Sequence, residues 1–316
     1  MNTQMGSNAT DHQSLDQYDH EIDLRELFGV LWAGKIKIIA ITAVFAVASI
    51  FHALSVPNQY KATALLASTE SDGGALSGAL GQLGGLAAMA GVKIGGDGGE
   101  AKIAQEIMVS WSFFEKFIAE NNLEVEVYAA TEWIKSSNTL VIDNDLYNEK
   151  TQTWLIEDKT GEIRDPTSWE LFQAFSQRVG VSEDKLTGLV SVSIEYYSPH
   201  IAKQWLDLYV AAINAHMQQR QVAKVTNNIN YLQAQIENTS IAEMREVFYT
   251  IIAEQTKEKM VAEASPEYTF VTVSPSMVPE AKSQPKRALI CILGTLLGGM
   301  LSVLLVLIMH YARKSD

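Results

Sequence analysis

The chain has 316 residues, 47% of them apolar, and it carries 24 basic against 37 acidic side chains. The acidity is confined to the middle: residues 57–285 hold 30 acidic and 17 basic residues, and the two ends balance. A nucleic-acid-binding protein needs a basic footprint, so this composition excludes that class and predicts no nucleic-acid partner. The single cysteine, Cys291, permits neither an intramolecular disulfide nor a cysteine-based metal site.

The N-terminal end of the chain is polar and then amphipathic. Residues 1–19 predict a disordered cytoplasmic tail. Residues 20–35 predict an amphipathic helix, which the pair Asp23 and Glu26 would start. This helix either lies in the membrane interface, with Trp32 at headgroup level, or simply extends the following span, and the pattern favours the first.

Two long apolar runs predict transmembrane helices at 36–56 and 286–310. A bilayer core of about 30 Å needs about 20 apolar residues in a helix, and both runs reach that length. Arg25, Lys35 and Lys37 precede the first span, and this excess of positive charge predicts that both termini are cytoplasmic. Residues 57–285 are then expected in the periplasm of a Gram-negative cell, and 311–316 form a short cytoplasmic tail.

The middle region alternates predicted strands with predicted helices. Residues 60–68, 189–197 and 268–274 have strand patterns, and residues 139–143 and 154–158 are weaker strand candidates. The first and last of the three stronger strands adjoin the two spans. The sequence therefore predicts an α+β membrane protein whose large periplasmic domain has a membrane-proximal mixed sheet.

Four helices are expected in the same region, at 101–121, 168–180, 199–237 and 240–263. Gly180 is predicted to close the second of them. The third begins with a cap residue followed by proline, and its length is about 58 Å. Ser240 and Glu243 form a predicted capping box for the fourth, in which Ile241, Met244, Phe248 and Ile251 share one side. The last two helices predict a hairpin that projects from the membrane.

A heptad row of apolar residues runs along the longest helix. Its members are Ile201, Leu208, Ala215, Val222, Ile229 and Ile236. The row is a candidate helix seam, buried against the other arm of the hairpin, or a candidate oligomer interface, buried against a neighbouring subunit. Both alternatives stay open, although the 241–263 helix offers a ready apolar partner.

Residue patterns for catalysis, cofactors and metals are missing. Residues 73–99 hold 11 of the 20 glycines but contain no phosphate-binding motif, and they predict either a flexible loop or a packed interface loop. Asp143, Asp145 and Glu149 lack the spacing of a calcium loop, so a solvated acidic turn is expected. We expect no catalytic, cofactor-binding or metal site, and hence no enzyme and no cofactor.

Both ends of the chain carry a family pattern. The stretch EIDLRELFGVLWAGKIKIIAITAVFAVASIFHALSVPNQYKATALL joins an acidic-aliphatic lead, a span, a proline and a strand that begins with tyrosine. The stretch EASPEYTFVTVSPSMVPEAKSQPKRALICILGTLLGGMLSVLLVL places a proline-rich segment before the second span. Its landmarks are Pro275, Pro279, Pro285, Lys286, Gly294 and Gly298. In these features the chain resembles the polysaccharide co-polymerase family, the Wzz-type chain-length determinants, of which many members carry proline where Ser283 stands here.

The resemblance implies a function that the residues alone do not give. It implies a non-enzymatic regulator of bacterial surface polysaccharide length, anchored in the inner membrane. The implied partners are further copies of the chain in a ring, for which the resemblance suggests eight subunits, the O-antigen polymerase, the growing polysaccharide and the lipid bilayer. In the family, members with an attached cytoplasmic kinase serve capsule or exopolysaccharide systems, and the short form expected here resembles the O-antigen or enterobacterial-common-antigen type.

Three alternatives remain. One is an exopolysaccharide or capsule co-polymerase that works with a separate kinase. Another is a two-span periplasmic sensor, which is disfavoured because no output domain follows the second span. The third is a membrane-anchored hydrolase, which lacks the residues for its chemistry.

Overall fold

The computed structural model describes residues 24–69 and 99–314. The chain divides into two compact units, one formed by Met1–Ser55 and Arg287–Asp316 and the other by Val56–Lys286. The predicted tail at 1–19 and nearly all of the glycine-rich segment at 73–99 lie outside the described residues.

The first unit contains the two apolar helices predicted as membrane spans. Its helices are α1 (Leu24–Ala33), α2 (Lys35–Ser55) and α9 (Arg287–Lys314). Helices α2 and α9 are long and apolar enough to cross a membrane, and few of their residues are buried by protein. A core helix of a soluble protein would be covered by other elements, so these exposed apolar surfaces fit lipid. Helix α1 is a separate helix, which ends one residue before Gly34.

A four-stranded antiparallel sheet organises the second unit. Its strands are β1 (Tyr60–Ser68), β8 (Val179–Glu183), β9 (Val190–Tyr196) and β10 (Phe270–Ser274), in the order β10-β1-β9-β8. The pairing of the three predicted strands is confirmed, but the expected mixed sheet is wrong because every neighbouring pair is antiparallel. Strand β8 is the edge strand that the pattern did not predict.

Apolar residues alternate along β9 and form its buried face. Val190, Val192, Ile194 and Tyr196 are all buried on one face. On β1, the buried side chains of that face include Leu66. The long helix α7 (Pro199–Asn238) packs on these two strands and closes the core.

The helix expected at 101–121 is two helices, α3 (Gly99–Met108) and α4 (Trp111–Asn121). Ser110 breaks it, since its backbone is extended and its hydroxyl accepts a hydrogen bond from the Phe113 N–H. This side chain caps α4, and serine favours such caps over helix interiors. The short helix α5 (Glu124–Tyr128) follows.

Three small hairpins follow α5 along the chain. They are β2 with β3 (Ala130–Ile134 and Thr139–Ile142), β4 with β5 (Tyr147–Asn148 and Thr153–Trp154), and β6 with β7 (Ile156–Glu157 and Ile163–Arg164). The strand expected at 154–158 is therefore wrong as one element. Leu155 separates two hairpins, and its N–H donates to the carbonyl of Leu146 instead.

Helix α6 (Ser168–Ser176) ends before the glycine that was expected to close it. Gly180 lies within β8, opposite Ser193 of β9. A Cβ at position 180 would lie 2.8 Å from the Ser193 hydroxyl, so the glycine permits a close strand pairing. The predicted helix end at Gly180 is wrong for this reason.

The predicted helical hairpin is confirmed as α7 and α8 (Ala242–Ala264). At the start of α7 the hydroxyl of Ser198 accepts a hydrogen bond from the Ile201 N–H, and Pro199 occupies the first turn. The capping box expected from Ser240 is wrong, because α8 is capped by Ile241 without a side-chain hydrogen bond.

Aromatic side chains dominate the core between α7, α4 and α6. Trp205 and Tyr209 of α7 are 2% and 0% exposed, and they meet Phe175 of α6. Phe117 of α4 lies with its ring centre 5.2 Å from that of Tyr209. The Tyr209 hydroxyl donates to a backbone carbonyl of α3, and burial raises the pKa of this phenol above its usual range.

Candidate functional site: the paired membrane helices and the helical hairpin

Two glycines of α9 face α2 at contact distance. A Cβ on Gly294 would lie 2.4 Å from the Cβ of Ser49, and one on Gly298 would lie 2.4 Å from the Cβ of Phe45. No side chain fits at such a separation, so each glycine permits the approach of the two helices. The structure thus places both predicted glycines against the first span of the same chain. Small residues have this role in membrane helix pairs because there is little hydrophobic drive between helices in lipid.

Polar contacts accompany the glycines along the same interface. The hydroxyls of Thr42 and Ser302 are 3.4 Å apart, and Ser302 is completely buried. At the other end of the pair, the Arg287 Nε donates to the carbonyl of Ala53 at 3.1 Å. A hydrogen bond within the membrane interior satisfies groups that lipid cannot, so these contacts fix the register of α2 and α9.

A third glycine contact was not predicted. Gly34 stands between α1 and α2, and a Cβ there would lie 2.5 Å from Val306 of α9. The signal in the sequence is the lone glycine between two apolar segments. By itself it marks only the approach to the span, because nothing local indicates a contact with a helix near the other end of the chain.

The proline-rich segment after β10 carries four of the predicted motif residues. Pro285 is buried, Pro279 is half-buried, and Pro275 and Lys286 are exposed. Gln284 forms a β-bridge with Gln59, which immediately precedes β1. The beginning and the end of the second unit are thereby held together.

Ser283 stands where many members of the family that this chain resembles carry proline. Here its N–H and hydroxyl groups donate hydrogen bonds. Its N–H donates to the Gln59 carbonyl at 2.8 Å and its hydroxyl donates to the same oxygen at 3.0 Å. The hydroxyl also contacts the carboxylate of Glu195 on β9. Proline has no N–H, so this chain uses a bond that proline could not supply.

A buried asparagine joins the hairpin to the strand that leads to the second span. Asn214 of α7 is 2% exposed, and its side-chain amide donates to the carbonyl of Phe270 at 2.9 Å. Its carbonyl accepts from the N–H groups of Thr269 and Phe270 at 3.0 and 2.9 Å. One side chain therefore satisfies three backbone groups at the start of β10 and fixes it against α7.

Polar side chains line the seam between the two arms of the hairpin. Gln218 donates to the carbonyl of Ala262 at 2.9 Å, and Gln221, only 6% exposed, donates to Glu258 at 2.5 Å. Farther along, Asn228 donates to Gln255 at 3.3 Å. These bonds set the antiparallel register of the arms. The sequence pattern does not reveal these bonds, because glutamine and asparagine on a helix are usually exposed.

The predicted heptad row lies beside the buried face of α7. Ile201, Val222, Ile229 and Ile236 are half-buried, whereas Leu208 and Ala215 are exposed. The buried face consists of residues at other positions: Ala202, Trp205, Leu206, Tyr209, Ile213, Met217 and Val225. Within one chain the row therefore remains partly uncovered.

The apolar residues of α8 are also largely uncovered. Ile241, Met244 and Ile251 are 56%, 43% and 36% exposed, and only Phe248 of the predicted set is half-buried. The face of α8 that these four residues share therefore lies mainly on the outside of the hairpin. The seam between α7 and α8 is occupied by the polar contacts instead.

The described ranges contain no group of three His, Cys, Asp or Glu side chains that could hold a metal ion. The Asp143 carboxylate accepts the Asp145 N–H at 2.9 Å, which forms a local turn at the predicted acidic segment. Arg164 and Glu170 form an ion pair through two bonds of 2.7 Å. These bonds lower the pKa of Glu170 to about 2.

Comparison with known proteins gives a family match and matches to solved structures, two of which are described below. The family model described as Wzz, chain length determinant protein, matches residues 20–121. No curated protein matches the chain. A solved full-length bacterial polysaccharide co-polymerase is 15% identical, with a TM-score of 0.38 over 93% of this chain and 99% of that one. A fragment of WzzB, a polysaccharide co-polymerase from Salmonella Typhimurium, is 11% identical, with a TM-score of 0.30 over 72% of this chain and 100% of the fragment. The family match confirms the resemblance predicted from the sequence: over residues 20–121 the chain is similar to the Wzz chain length determinant proteins.

Proposed function

We propose that this chain sets the length of a bacterial surface polysaccharide, as a non-enzymatic co-polymerase that acts with the O-antigen polymerase. The observation that carries the proposal is the Wzz match over residues 20–121, which begins before the first span and continues through β1 into α4. The two apolar helices around one large unit support it, because such a protein presents a large domain on one side of a membrane.

The proposed location is the inner membrane, with both termini in the cytoplasm and residues 57–285 in the periplasm. Residues 20–35 lie at the cytoplasmic interface, and the spans occupy 36–56 and 286–310. The support is the excess of positive charge before the first span, from Arg25, Lys35 and Lys37. An alkaline phosphatase fused after residue 150 should be active, and one fused after residue 316 inactive. The reverse pattern would contradict this orientation.

The proposed assembly is a ring of identical subunits in which the heptad row of α7 meets a neighbour. Its support is the incomplete burial of the row within one chain, above all at Leu208 and Ala215. The outer apolar residues of α8 supply a second uncovered surface on the same hairpin. Large contiguous apolar patches on a single chain are typical of surfaces that a partner covers.

The function is tested by transfer to a strain that lacks its own chain-length determinant but retains its polymerase. Such a strain makes polysaccharide of unregulated length. Expression of this chain should impose a modal length, seen as a cluster of bands on a lipopolysaccharide gel. An unchanged ladder together with an altered capsule would favour the capsule type, and no change in either polymer would contradict the proposal.

A further inference from the structure

A shallow cleft lies between α4, α5, the β4–β5 hairpin and the start of α6. Its volume is about 430 Å³, within the range of small-ligand sites. Two aromatic side chains of the hairpin line it: Tyr147 and Trp154 pack edge to face with ring centres 4.9 Å apart. Both rings are only half-buried, so each keeps part of its surface accessible.

Contacts next to the cleft hold two of the elements that line it in place. Arg164 and Glu170 tie the β6–β7 hairpin to the first turn of α6 through two bonds of 2.7 Å. Thr167 and Glu170 form a reciprocal capping box at the same helix start. The Trp154 ring also contacts Tyr128, which ends α5. The lining is therefore positioned before any ligand arrives, which lowers the entropic cost of binding.

Polar side chains also line the cleft, and they have no hydrogen-bond or ion-pair partner within the part of the chain that the structure describes. Three are the carboxylates of Glu115, Glu124 and Asp165, and the others are the amide of Gln152 and the hydroxyl of Ser168. Gln152 ends the β4–β5 hairpin loop in a left-handed backbone conformation with φ of 52°, which is common at the last residue of such loops.

We propose that this cleft binds a short segment of glycan whose sugars are neutral or carry an amino group. The apolar face of a pyranose ring stacks on an aromatic ring, while its hydroxyl rim donates hydrogen bonds to carboxylate and amide oxygens. Hydrogen bonds to ionised carboxylates are the stronger kind. The cleft offers both features around Tyr147 and Trp154.

Charge sets the sugar class. The lining contains three carboxylates and no lysine or arginine, and the nearby Arg164 is already neutralised by Glu170. A uronic acid would meet like charge at close range, which is unfavourable. An amino sugar would form a charge-assisted pair instead. This inference rests on the proposed function, for which it names the class of polymer that the chain contacts directly.

The test measures glycan binding by the full-length chain in detergent micelles. The probes are defined oligosaccharides of neutral hexoses, amino sugars and uronic acids, together with the host polysaccharide released from its lipid by mild acid. Wild-type protein should bind probes of the first two kinds and reject uronates. Trp154→Ala should weaken binding by about tenfold, because aromatic contacts contribute on the order of 1 kcal/mol.

Trp133→Ala is the matched control, since Trp133 is also a half-buried tryptophan in a small hairpin but does not line the cleft. It should bind like wild type. If Trp154→Ala fails to fold, Gln152→Ala and Ser168→Ala replace it and should each weaken binding. No binding of any probe, a preference for uronates, or equal losses in the cleft and control variants would overturn the proposal.

The glycan-binding proposal and the proposed function can be refuted independently of each other. If deletion of the gene abolishes the modal length while cleft variants bind glycans normally, the cleft proposal is overturned and the function stands. If the cleft binds glycans as expected while deletion leaves polymer length unchanged, the function is overturned and the cleft stands.

Discussion

Adjacent glycines of the second span give a matched pair of substitutions. At Gly298 a Cβ would lie 2.4 Å from the Cβ of Phe45, whereas at Gly299 the nearest atom is the Thr42 hydroxyl at 4.0 Å. Gly298→Ala and Gly299→Ala add the same methyl group to the same helix. Only the first adds it where the two spans touch, so the pair isolates the effect of the contact.

The magnitude follows from the distances. Ordinary contact begins near 3.4 Å, so Gly298→Ala requires the helices to separate locally by about 1 Å. Inserting a methyl into a packed interface costs about 1–3 kcal/mol. The gain in helix propensity from Gly to Ala is common to both variants and cancels in their difference. We therefore expect Gly298→Ala to weaken the span pair by about 1–3 kcal/mol relative to Gly299→Ala.

The assay uses engineered cysteines at Thr42 and Ser302, whose hydroxyls are 3.4 Å apart. In a Cys291→Ala background, the disulfide should form within one chain and keep the protein at monomer size on a denaturing gel. Gly298→Ala should lower its yield during titration with a denaturing detergent, and Gly299→Ala should not. Equal yields in both variants, or a disulfide that forms only between chains, would refute the reasoning.

Three further predictions concern the large unit. Asn214→Leu should destabilise the full chain by at least about 3 kcal/mol, because it leaves three buried backbone groups without partners, and thermal melting should show no such loss for the more exposed Asn228→Leu. The pKa of Glu170 is lowered to about 2 from its usual 4.5, so the stability that its ionised form contributes is complete above pH 4.5 and is lost as the pH falls towards 2. In a Glu170→Gln variant, the melting temperature should therefore fall less between pH 4.5 and pH 2 than in the wild type. Val222→Glu should leave the melting temperature nearly unchanged and reduce the oligomer size in detergent, whereas Ala223→Glu on the exposed side should change neither; an unfolded Val222→Glu protein would contradict the proposed subunit contact.

The spans and three of the four sheet strands could be predicted because their signals are local. Twenty consecutive apolar residues are rare outside membrane-spanning helices, and the alternation in β9 corresponds directly to its buried face. Strand β8 was missed because a glycine such as Gly180 is a common helix end. Its actual role depends on Ser193, a neighbour that only the folded sheet brings close.

The orientation of α7 could not be obtained from aliphatic residues alone. The heptad row from Ile201 counted leucine, isoleucine, valine and alanine, but Trp205 and Tyr209 decide which face is buried. Aromatic rings bury more area than aliphatic side chains, so the positions of Trp205 and Tyr209, and not the heptad row, determine the buried face of α7. The polar seam with α8 was equally hidden, because Gln221 is buried only through its bond to Glu258.

The sequence predicted the contact residues of the two apolar helices but not the contacts within the large unit. Gly294 and Gly298 carried a known packing pattern, although the sequence could not say whether the first span or a neighbour would meet them. The hydrogen bonds of Asn214 to the start of β10 and the cleft around Trp154 both bring together residues that are far apart in the chain. No local pattern signals such contacts.

The most direct measurement is the length distribution of surface polysaccharide after deletion of the gene from its native host. On a lipopolysaccharide gel the wild-type strain should show a modal cluster of bands. The deletion strain should show a ladder that decays without a mode, and expression of the full chain from a plasmid should restore the cluster. An identical distribution in the wild-type and deletion strains would contradict the account.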